Sequence, residues 1–341
     1  MIMLTNHDQS AGQHTQVAYS APRLRQIRQV FDRRAAKFCD VAFLPREIAQ
    51  RMYKRLQYIN LQPDQVLDAG CGSGEDIDLL RARYAQATIY GVDLSRAMLC
   101  AKYSSGCGNA NIATGWRRLL PAAVLRYLAR SCVQMSYRVQ ADFSALPFAP
   151  ERFDLLWSNL ALHWHVQPDL VLTEWKRVLK TGGILMFSAL GPDTLRELRS
   201  AKSAVDSSIV QYMLDFIDMH DCGDMLVASG FEISVMDMET LTVMYSSPKA
   251  LLADVRRWGV IPSQATKNAN VSHVPISRGI YHRLLNALEA QRTPNGMIPL
   301  TFEIVYGHAQ KAVAQMTPEG YGLVRVNEIS HNWRATRRMS S

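Results

Sequence analysis

A glycine-rich loop follows the first apolar run that could form a buried strand. Residues 66–74 read Val-Leu-Asp-Ala-Gly-Cys-Gly-Ser-Gly, with an acid at the end of the apolar run and glycines at alternate positions after it. Glycine permits a sharp turn and lets a ligand come close to the backbone. The segment is therefore predicted to hold a cofactor, through Asp68, Gly70, Cys71, Gly72 and Gly74.

The acid in this loop discriminates between two kinds of cofactor. In dinucleotide enzymes a glycine loop packs a pyrophosphate against a helix N-terminus, and a carboxylate at Asp68 would repel that phosphate. The same carboxylate suits a cationic amino-acid group. The loop therefore favours S-adenosyl-L-methionine (AdoMet) over a nicotinamide dinucleotide.

Two further aspartates come at the ends of later strand-like runs. Asp93 follows the apolar run 88–92 and is placed to accept hydrogen bonds from both ribose hydroxyls. Asp142 follows a third strand pattern and can accept from the adenine amine, while Phe143 or Leu94 covers the ring. Either aspartate alone is as often a helix cap or a turn residue. In series with the glycine loop, all four residues are predicted to bind the cofactor.

The loop after the fourth predicted strand, residues 158–164, is expected to face the ligand crevice of an open α/β sheet. Asn159 and His163 are therefore candidates to touch substrate or cofactor. The alternative for His163 and His165 is a pair of hydrogen-bonded loop histidines. Without a third ligand they are poor evidence for a metal, and no metal site is predicted.

Strand-like and helix-like segments alternate along the chain and would position these residues. This pattern predicts an α/β fold with a doubly wound, mostly parallel, Rossmann-like sheet, N-terminal helices and a helical insertion. Gly182 and Gly183 are interpreted as a helix C-cap. The predicted strands are Gln65–Ala69, Thr88–Val92, Phe153–Ser158, Gly183–Ala189, Ile233–Tyr245 and Leu300–Tyr306. The predicted helices are a pair within Arg23–Ile59 separated at Pro45, Glu75–Arg83, one from Ser95, Leu170–Leu179, Asp193–Ala204, Gly223–Ser229, Pro248–Trp258 and Ile276–Gln291.

The domain organisation follows from the same pattern. We expect a disordered N-terminus (1–22), a single domain (23–312) and a basic tail (313–341). The domain comprises a cofactor-binding core at 46–190, interrupted by an insertion at 104–138, and a part at 191–312 that covers the substrate. The insertion is either a lid or a docking site for a partner.

The composition sets limits on the functional class. With 48% hydrophobic residues in 341, the chain can bury a large core. The start of the chain lacks a signal-peptide pattern, and no apolar run reaches about 18 residues, so neither secretion nor a membrane span is expected. Six scattered cysteines without a CxxC pair indicate free thiols in a reducing cytoplasm. The net charge of +8 favours acidic partners, but no basic–aromatic motif indicates nucleic acid.

The ordered series of glycine loop, Asp93, Asp142 and segment 158–164 resembles class I AdoMet-dependent methyltransferases over residues 46–190. In that family's sheet the last strand is antiparallel. More narrowly, four segments are similar to the malonyl-acyl carrier protein O-methyltransferases of early biotin synthesis. These segments are Phe31–Ala36, Ser158–Trp164, Gly191–Arg199 and Pro299–Glu303. The chain departs from this family at Phe38, where tyrosine is common, at His163, where glutamine is common, and in the insertion at 104–138.

The resemblance implies methylation of the free carboxylate of a malonyl thioester, carried by acyl carrier protein or by coenzyme A. Such a carboxylate is already ionised, so no catalytic base is required. The candidates for orienting the substrate are Phe38, Asn159, His163, Arg196 and Arg199, with Arg256 and Arg257 as further anion-binding candidates. Arg117, Arg118, Arg126 and Arg130 in the insertion are candidates for steering an acidic carrier protein.

Two alternatives on the same scaffold stay open. His163 also occurs in mitochondrial complex I assembly factors, which resemble methyltransferases and are associated with arginine hydroxylation. A protein that binds AdoMet without catalysis is the other alternative, because a fold by itself does not fix the function. A DNA amino-methyltransferase is disfavoured, since no Asn-Pro-Pro-Tyr motif follows the fourth predicted strand.

Overall fold

The computed structural model describes residues 24–104, 137–205, 216–258 and 277–312. Three segments considered above lie outside these ranges: the N-terminus 1–22, the tail 313–341 and nearly all of the insertion, with its four arginines. The two ends of the predicted insertion belong to regular elements, because Ser104 ends a helix and Arg138 lies in a strand. No helix of the described residues is long and apolar enough to cross a membrane.

A mixed sheet forms the centre of the described structure, with strand order β3-β2-β1-β4-β5-β7-β6. Strands β1 to β5 are parallel, and β7 runs antiparallel to both of its neighbours. This confirms the predicted doubly wound, mostly parallel sheet with an antiparallel last strand. The strands are β1 Gln65–Ala69, β2 Thr88–Asp93, β3 Tyr137–Gln140, β4 Phe153–Ser158, β5 Leu179–Leu190, β6 Phe231–Tyr245 and β7 Ile298–Lys311.

Helices pack on both faces of this sheet because alternate residues of each strand point to opposite faces. In β4, Leu155 and Trp157 pack into one hydrophobic cluster, whereas Leu156 packs into the other, beneath Trp175. The helices are α1 (residues 24–34), α2 Phe43–Leu56, α3 Glu75–Arg83, α4 Arg96–Ser104, α5 Pro168–Val178, α6 Arg196–Val205, α7 Met219–Ala228, α8 Pro248–Trp258 and α9 Arg278–Glu289. A 3-10 helix, Ala35–Val41, connects α1 to α2.

Two of the predicted boundaries are wrong. Pro45 does not separate two helices but lies in the first turn of α2. The N–H groups of a first turn have no acceptor within the helix, so a proline there removes no helical hydrogen bond. Gly182 and Gly183 do not cap a helix, because α5 ends at Val178 and the chain enters β5 directly. The glycines lie within β5, beside the irregular register that β5 forms with β4.

Two of the segments that carry the family resemblance, 191–199 and 299–303, bind each other. The backbone N–H of Asp193 donates to Oε2 of the buried Glu303 at 2.6 Å. The N–H of Gly191 and the hydroxyl of Thr194 both donate to the Glu303 carbonyl, at 2.9 and 3.1 Å. These contacts fix the loop that leads from β5 to α6 against β7.

Replacing Glu303 with alanine is expected to lower the free energy of unfolding by about 1.5–3 kcal/mol, because the partly buried hydrogen bond from the N–H of Asp193 would lose its charged acceptor. Urea unfolding of Glu303→Ala measures this loss. Glu303→Gln is the matched control, since it keeps an acceptor oxygen and should retain most of the stability. An alanine variant as stable as the wild type would show that the loop does not depend on this contact.

Candidate active site

A large cavity in the described part of the chain opens at the carboxyl ends of β1, β2 and β4. It contains about 1300 Å³ of space between atoms, including its open mouth. One end is acidic and glycine-rich, and is lined by Asp68, Gly70, Gly72, Asp76, Asp93 and Asp142. The rest of the lining includes apolar residues, among them Ile27, Phe31, Phe38, Leu190, Trp258 and Phe302. A cavity of this kind can take a polar cofactor and an acceptor side by side.

The glycine loop is shaped by a close approach to the loop after β4. Gly70 has a φ of +85°, and a Cβ added there would overlap the Cβ of Ala161. The N–H groups of Gly70 and Cys71 both donate to the carbonyl of Val92, at 2.8 and 2.9 Å. The loop is thereby held against the end of β2, and its inner surface is left to the cavity. Gly74 does not line the cavity; it precedes α3 as its N-terminal cap residue.

Asp68 is the most unusual charge at the acidic end. The residue is only 1% exposed, and its Oδ2 has no hydrogen-bond partner among the described residues. Burial, and then the neighbouring carboxylates of Asp76 and Asp93, raise the pKa of Asp68 well above its usual range. A buried carboxylate that has an oxygen without a hydrogen-bond partner is suited to a ligand that brings a positive charge and N–H donors.

Asp93 is held by backbone donors on both sides. Its Oδ2 accepts from the N–H of Gly72 at 2.9 Å, and its Oδ1 accepts from the N–H of Ser95 at 2.7 Å. Burial raises the pKa of Asp93 to about 6, and these two bonds partly offset that rise. The carboxylate is thus fixed at the end of β2, as a ribose ligand would require.

Asp76 is a cavity residue that the sequence reasoning missed. Its Oδ2 accepts from Nε1 of the buried Trp157 at 2.8 Å. Burial raises the pKa of Asp76 to about 6, offset in part by hydrogen bonds from Trp157 and Asn159. The signal that could have found it is the run of acids in the first turn of α3, directly after the glycine loop.

These raised pKa values predict that AdoMet affinity depends on pH. As pH falls through about 6, Asp76 and Asp93 take up protons in the ligand-free protein, whereas a cationic ligand favours their ionised forms. Affinity should be nearly constant above pH 7 and fall by roughly tenfold per pH unit well below 6, for each proton that binding displaces. Calorimetric titrations from pH 5 to 8 measure this, and an unchanged affinity at pH 5 would contradict it.

The stability of the ligand-free protein should change with pH in the opposite direction from AdoMet affinity. A carboxylate whose pKa is raised by folding stabilises the fold fully below its unfolded value, roughly pH 4, and that contribution is lost as pH rises through about 6.

Asp142 and Phe143 lie together at the predicted adenine end. Oδ1 of Asp142 accepts from the N–H of Ser144 at 2.9 Å and lies 3.9 Å from Nε2 of His165. That nitrogen is buried and has no hydrogen-bond partner among the described residues, while burial lowers the pKa of His165. The Phe143 ring lies 5.9 Å from the His165 ring. Leu94 and Cys71 also line the cavity.

Three candidates for orienting the substrate line the cavity: Phe38, Asn159 and His163. Oδ1 of Asn159 accepts from the hydroxyl of Ser188 at 2.9 Å. Burial lowers the pKa of His163 to about 3, so its ring is neutral at physiological pH. It therefore adds no positive charge to the cavity. Whether these residues touch substrate stays a prediction.

The four candidate arginines after β5 do not line the cavity. Arg196 forms ion pairs with Asp193 and Glu197, and the Arg199 guanidinium lies 5.6 Å from the Phe216 ring centre. Their helices bury apolar residues, and the arginines contact residues of their own helix or of adjacent segments instead. Arg256 lies over Tyr281, and Arg257 pairs with Asp254. An arginine from α2, Arg46, lines the cavity in their place.

The donor set of the acidic end fits AdoMet. The buried, unpartnered Oδ2 of Asp68 matches a cationic amino acid, and the surface at Gly70 leaves no room for a side chain. Asp93 and Asp142 stand one and two strands away, in the order β1, β2, β3. AdoMet, held by these residues, would supply an electrophilic methyl group on a sulfonium ion.

Comparison with known proteins gives the same assignment. Residues 67–187 match a family described as a methyltransferase domain. The malonyl-[acyl-carrier protein] O-methyltransferase of Laribacter hongkongensis is 39% identical over 85% of this chain and 90% of its own. That of Gallionella capsiferriformans is 37% identical over 89% and 96%.

The fold is also that of solved methyltransferase structures. A putative methyltransferase from Bacillus halodurans superposes with a TM-score of 0.51 at 17% identity, covering 77% of this chain and 100% of its own. At this identity the likeness concerns the fold alone. The near full-length relatives, by contrast, show that the chain is an AdoMet-dependent O-methyltransferase and belongs to the malonyl-[acyl-carrier protein] O-methyltransferase family.

Proposed function

We propose that the enzyme transfers the methyl group of AdoMet to the free carboxylate of a malonyl group held as a thioester on acyl carrier protein. The observation that carries this proposal is the extent of the similarity. The relatives named for this reaction match 85–89% of the chain, far more than the 67–187 segment that matches the methyltransferase domain. In biotin synthesis, such a step would cap the malonyl group before chain extension.

The chemistry needs no proton transfer. A carboxylate with an ordinary pKa near roughly 4 is ionised at neutral pH and is already the nucleophile. One of its oxygens forms a bond to the methyl carbon while the carbon–sulfur bond breaks and its electron pair stays on sulfur. The products are a neutral methyl ester and the neutral thioether S-adenosylhomocysteine. Burial lowers the pKa of His163 to about 3, which makes the ring a weak base, and this fits a site that requires no base.

The work of the protein is therefore orientation and exclusion of water. Three aromatic side chains, each on a different element, line the cavity: Phe31, Trp258 and Phe302. Trp258 and Phe302 pack edge to face, with ring centres 5.1 Å apart. A dry, rigid wall of this kind favours in-line placement of the reacting atoms, and such placement can be worth several kcal/mol.

We assign the predicted cofactor contacts by position. Asp68 would receive the amino group, Asp93 the ribose hydroxyls and Asp142 the adenine amine, with Leu94 and Phe143 against the ring. The location of the enzyme in the cytoplasm stays a prediction. The names of the relatives favour the transferase over the hydroxylase, assembly-factor and non-catalytic alternatives.

A series of acceptors tests this function. S-adenosylhomocysteine formation is measured with malonyl-acyl carrier protein, with acetyl-acyl carrier protein, which lacks the free carboxylate, and with malonyl-coenzyme A. We expect product with the malonyl carrier and none with the acetyl carrier. Equal rates with malonyl-acyl carrier protein and acetyl-acyl carrier protein would refute carboxylate methylation. An equal kcat/KM with malonyl-coenzyme A would refute only the preference for the protein carrier.

A further inference from the structure

Ser95 joins two carboxylates at the N-terminus of α4. Its backbone N–H donates to Oδ1 of Asp93 at 2.7 Å, and its hydroxyl donates to Oδ1 of Asp32 at 2.6 Å. The hydroxyl oxygen accepts in turn from the N–H of Met98 at 3.1 Å, so Ser95 is also the N-terminal cap of α4. The residue is fully buried. One buried side chain therefore connects Asp93, the predicted ribose ligand, to Asp32 on α1.

The charge of Asp32 lies close enough to Asp93 to affect it. Burial raises the pKa of Asp93 to about 6, and the neighbouring charge of Asp32 adds to that rise. The first turn of α4 offsets the repulsion, because the N–H of Ala97 also donates to Oδ1 of Asp32, at 3.3 Å, and a helix N-terminus favours negative charge. Asp32 thus attaches α1 to α4 at the point where the ribose carboxylate is held.

Helix α1 is also part of the cavity wall. Its Leu24, Ile27 and Phe31 side chains line the same cavity as Asp93. The ring of Phe31 packs edge to face on Trp164, in the loop after β4, with ring centres 4.9 Å apart. Two consecutive residues of α1 therefore hold the helix at the cavity, one by an aromatic contact and the next, Asp32, by hydrogen bonds.

We propose that Asp32 is a positioning residue of the cofactor site, which couples the docking of α1 to the binding of AdoMet through Ser95 and Asp93. This role rests on the proposed assignment of Asp93 to the ribose, and not on the identity of the acceptor. With α1 in place, Asp32 fixes the Ser95 hydroxyl, and the Ser95 N–H is held on the ribose carboxylate. A carboxylate that is fixed in advance lowers the ordering cost of binding.

The coupling must act in both directions. If docked α1 strengthens cofactor binding by some factor, the bound cofactor strengthens the docking of α1 by the same factor. The docking of α1 can be followed by hydrogen exchange of its backbone amides, because local opening of a helix exposes them to solvent. A residue that merely stabilised the fold would not link these two quantities.

The test measures both quantities with S-adenosylhomocysteine, which allows no turnover. Its affinity is measured by calorimetry, and exchange of the α1 amides is measured with and without saturating ligand. In the wild type the ligand should slow this exchange by about tenfold, within the range typical of coupling between two sites. In Asp32→Ala the affinity should fall by about the same factor, and the ligand should slow α1 exchange less than about threefold.

Two further variants separate the hydrogen bonds from other effects of Asp32. Asp32→Asn keeps an acceptor oxygen for Ser95 and should retain the affinity within about threefold, together with most of the protection of α1. Arg28→Gln is the matched control on the same helix. Nε of Arg28 lies 4.0 Å from Oδ2 of Asp32 in an exposed pair of small value, and its loss leaves Oδ1 with Ser95. This variant should match the wild type in both measurements.

Several results would overturn the proposal. If S-adenosylhomocysteine leaves α1 exchange unchanged in the wild type, the coupling is refuted without any variant. Wild-type affinity in Asp32→Ala would refute the positioning role, and so would weak binding that still protects α1 tenfold. An asparagine variant as weak as the alanine variant would refute the route through the Ser95 hydroxyl. Failure of the proposed function is a separate result: coupling in the wild type, but no S-adenosylhomocysteine formed from AdoMet with malonyl-acyl carrier protein.

Discussion

Replacement of Gly70 by alanine is expected to abolish measurable AdoMet binding and to lower the free energy of unfolding by about 2–5 kcal/mol. The left-handed φ of +85° costs an alanine about 1–2 kcal/mol. In addition, its Cβ would overlap the Cβ of Ala161, and overpacking of this kind costs typically 1–3 kcal/mol. The glycine loop must move away from the loop after β4, and both loops line the cofactor end. Calorimetry and urea unfolding measure the two effects.

Gly296 offers the matched control for this substitution. It has a φ of +75°, but a Cβ added there would meet no atom within 4 Å. Gly296→Ala should therefore show the conformational cost alone, about 1 kcal/mol, and bind AdoMet normally. In the double variant Gly70→Ala/Ala161→Gly, the overlapping atom is removed and part of the affinity should return. Wild-type affinity in Gly70→Ala would mean that the loop tolerates a side chain and does not form the cofactor surface.

Replacement of Asp68 by asparagine is expected to weaken AdoMet binding by about 100-fold or more while making the ligand-free protein more stable at neutral pH. Loss of one partner from a buried charged contact costs about 2–5 kcal/mol of binding energy. In the ligand-free protein the same carboxylate is buried with an unpartnered oxygen, and its raised pKa means that ionisation destabilises the fold. The amide removes that cost.

Two measurements establish the Asp68 prediction: AdoMet affinity, and the melting temperature with and without AdoMet. The gain in melting temperature of the ligand-free variant should grow with rising pH, because the wild type loses stability as Asp68 ionises. Asp78→Asn is the control, since Asp78 is mostly exposed and its pair with Arg81 is a surface contact of small value. A variant that is less stable and binds AdoMet normally would refute a cofactor role for Asp68.

The sheet and the cofactor loop could be predicted because their signals are local. The bounds of β1, α3, β4 and α8 agree with the expected ones, since buried parallel strands are continuous apolar runs and amphipathic helices have a regular period. The acid after each strand follows from the same pattern, because the carboxyl ends of parallel strands share one edge.

The acceptor side could not be predicted in the same way. Arg46 reaches the cavity through the packing of α2 against α3, and that contact has no local signal in either segment. Arg196 and Arg199 have the right chemistry, but the orientation of α6 is fixed by its buried Leu198 and Ala201 and places both arginines away from the cavity. Tertiary packing therefore decided which arginine lines the cavity.

The central claim is that the malonyl carboxylate receives the methyl group, and the intact mass of acyl carrier protein tests it most directly. Malonyl-acyl carrier protein is incubated with AdoMet and enzyme and then weighed by mass spectrometry. The predicted result is a gain of one methyl group that is absent with Asp93→Ala and is lost together with the malonyl group when hydroxylamine cleaves the thioester. An unchanged mass, under conditions in which the wild type binds AdoMet, would contradict the claim.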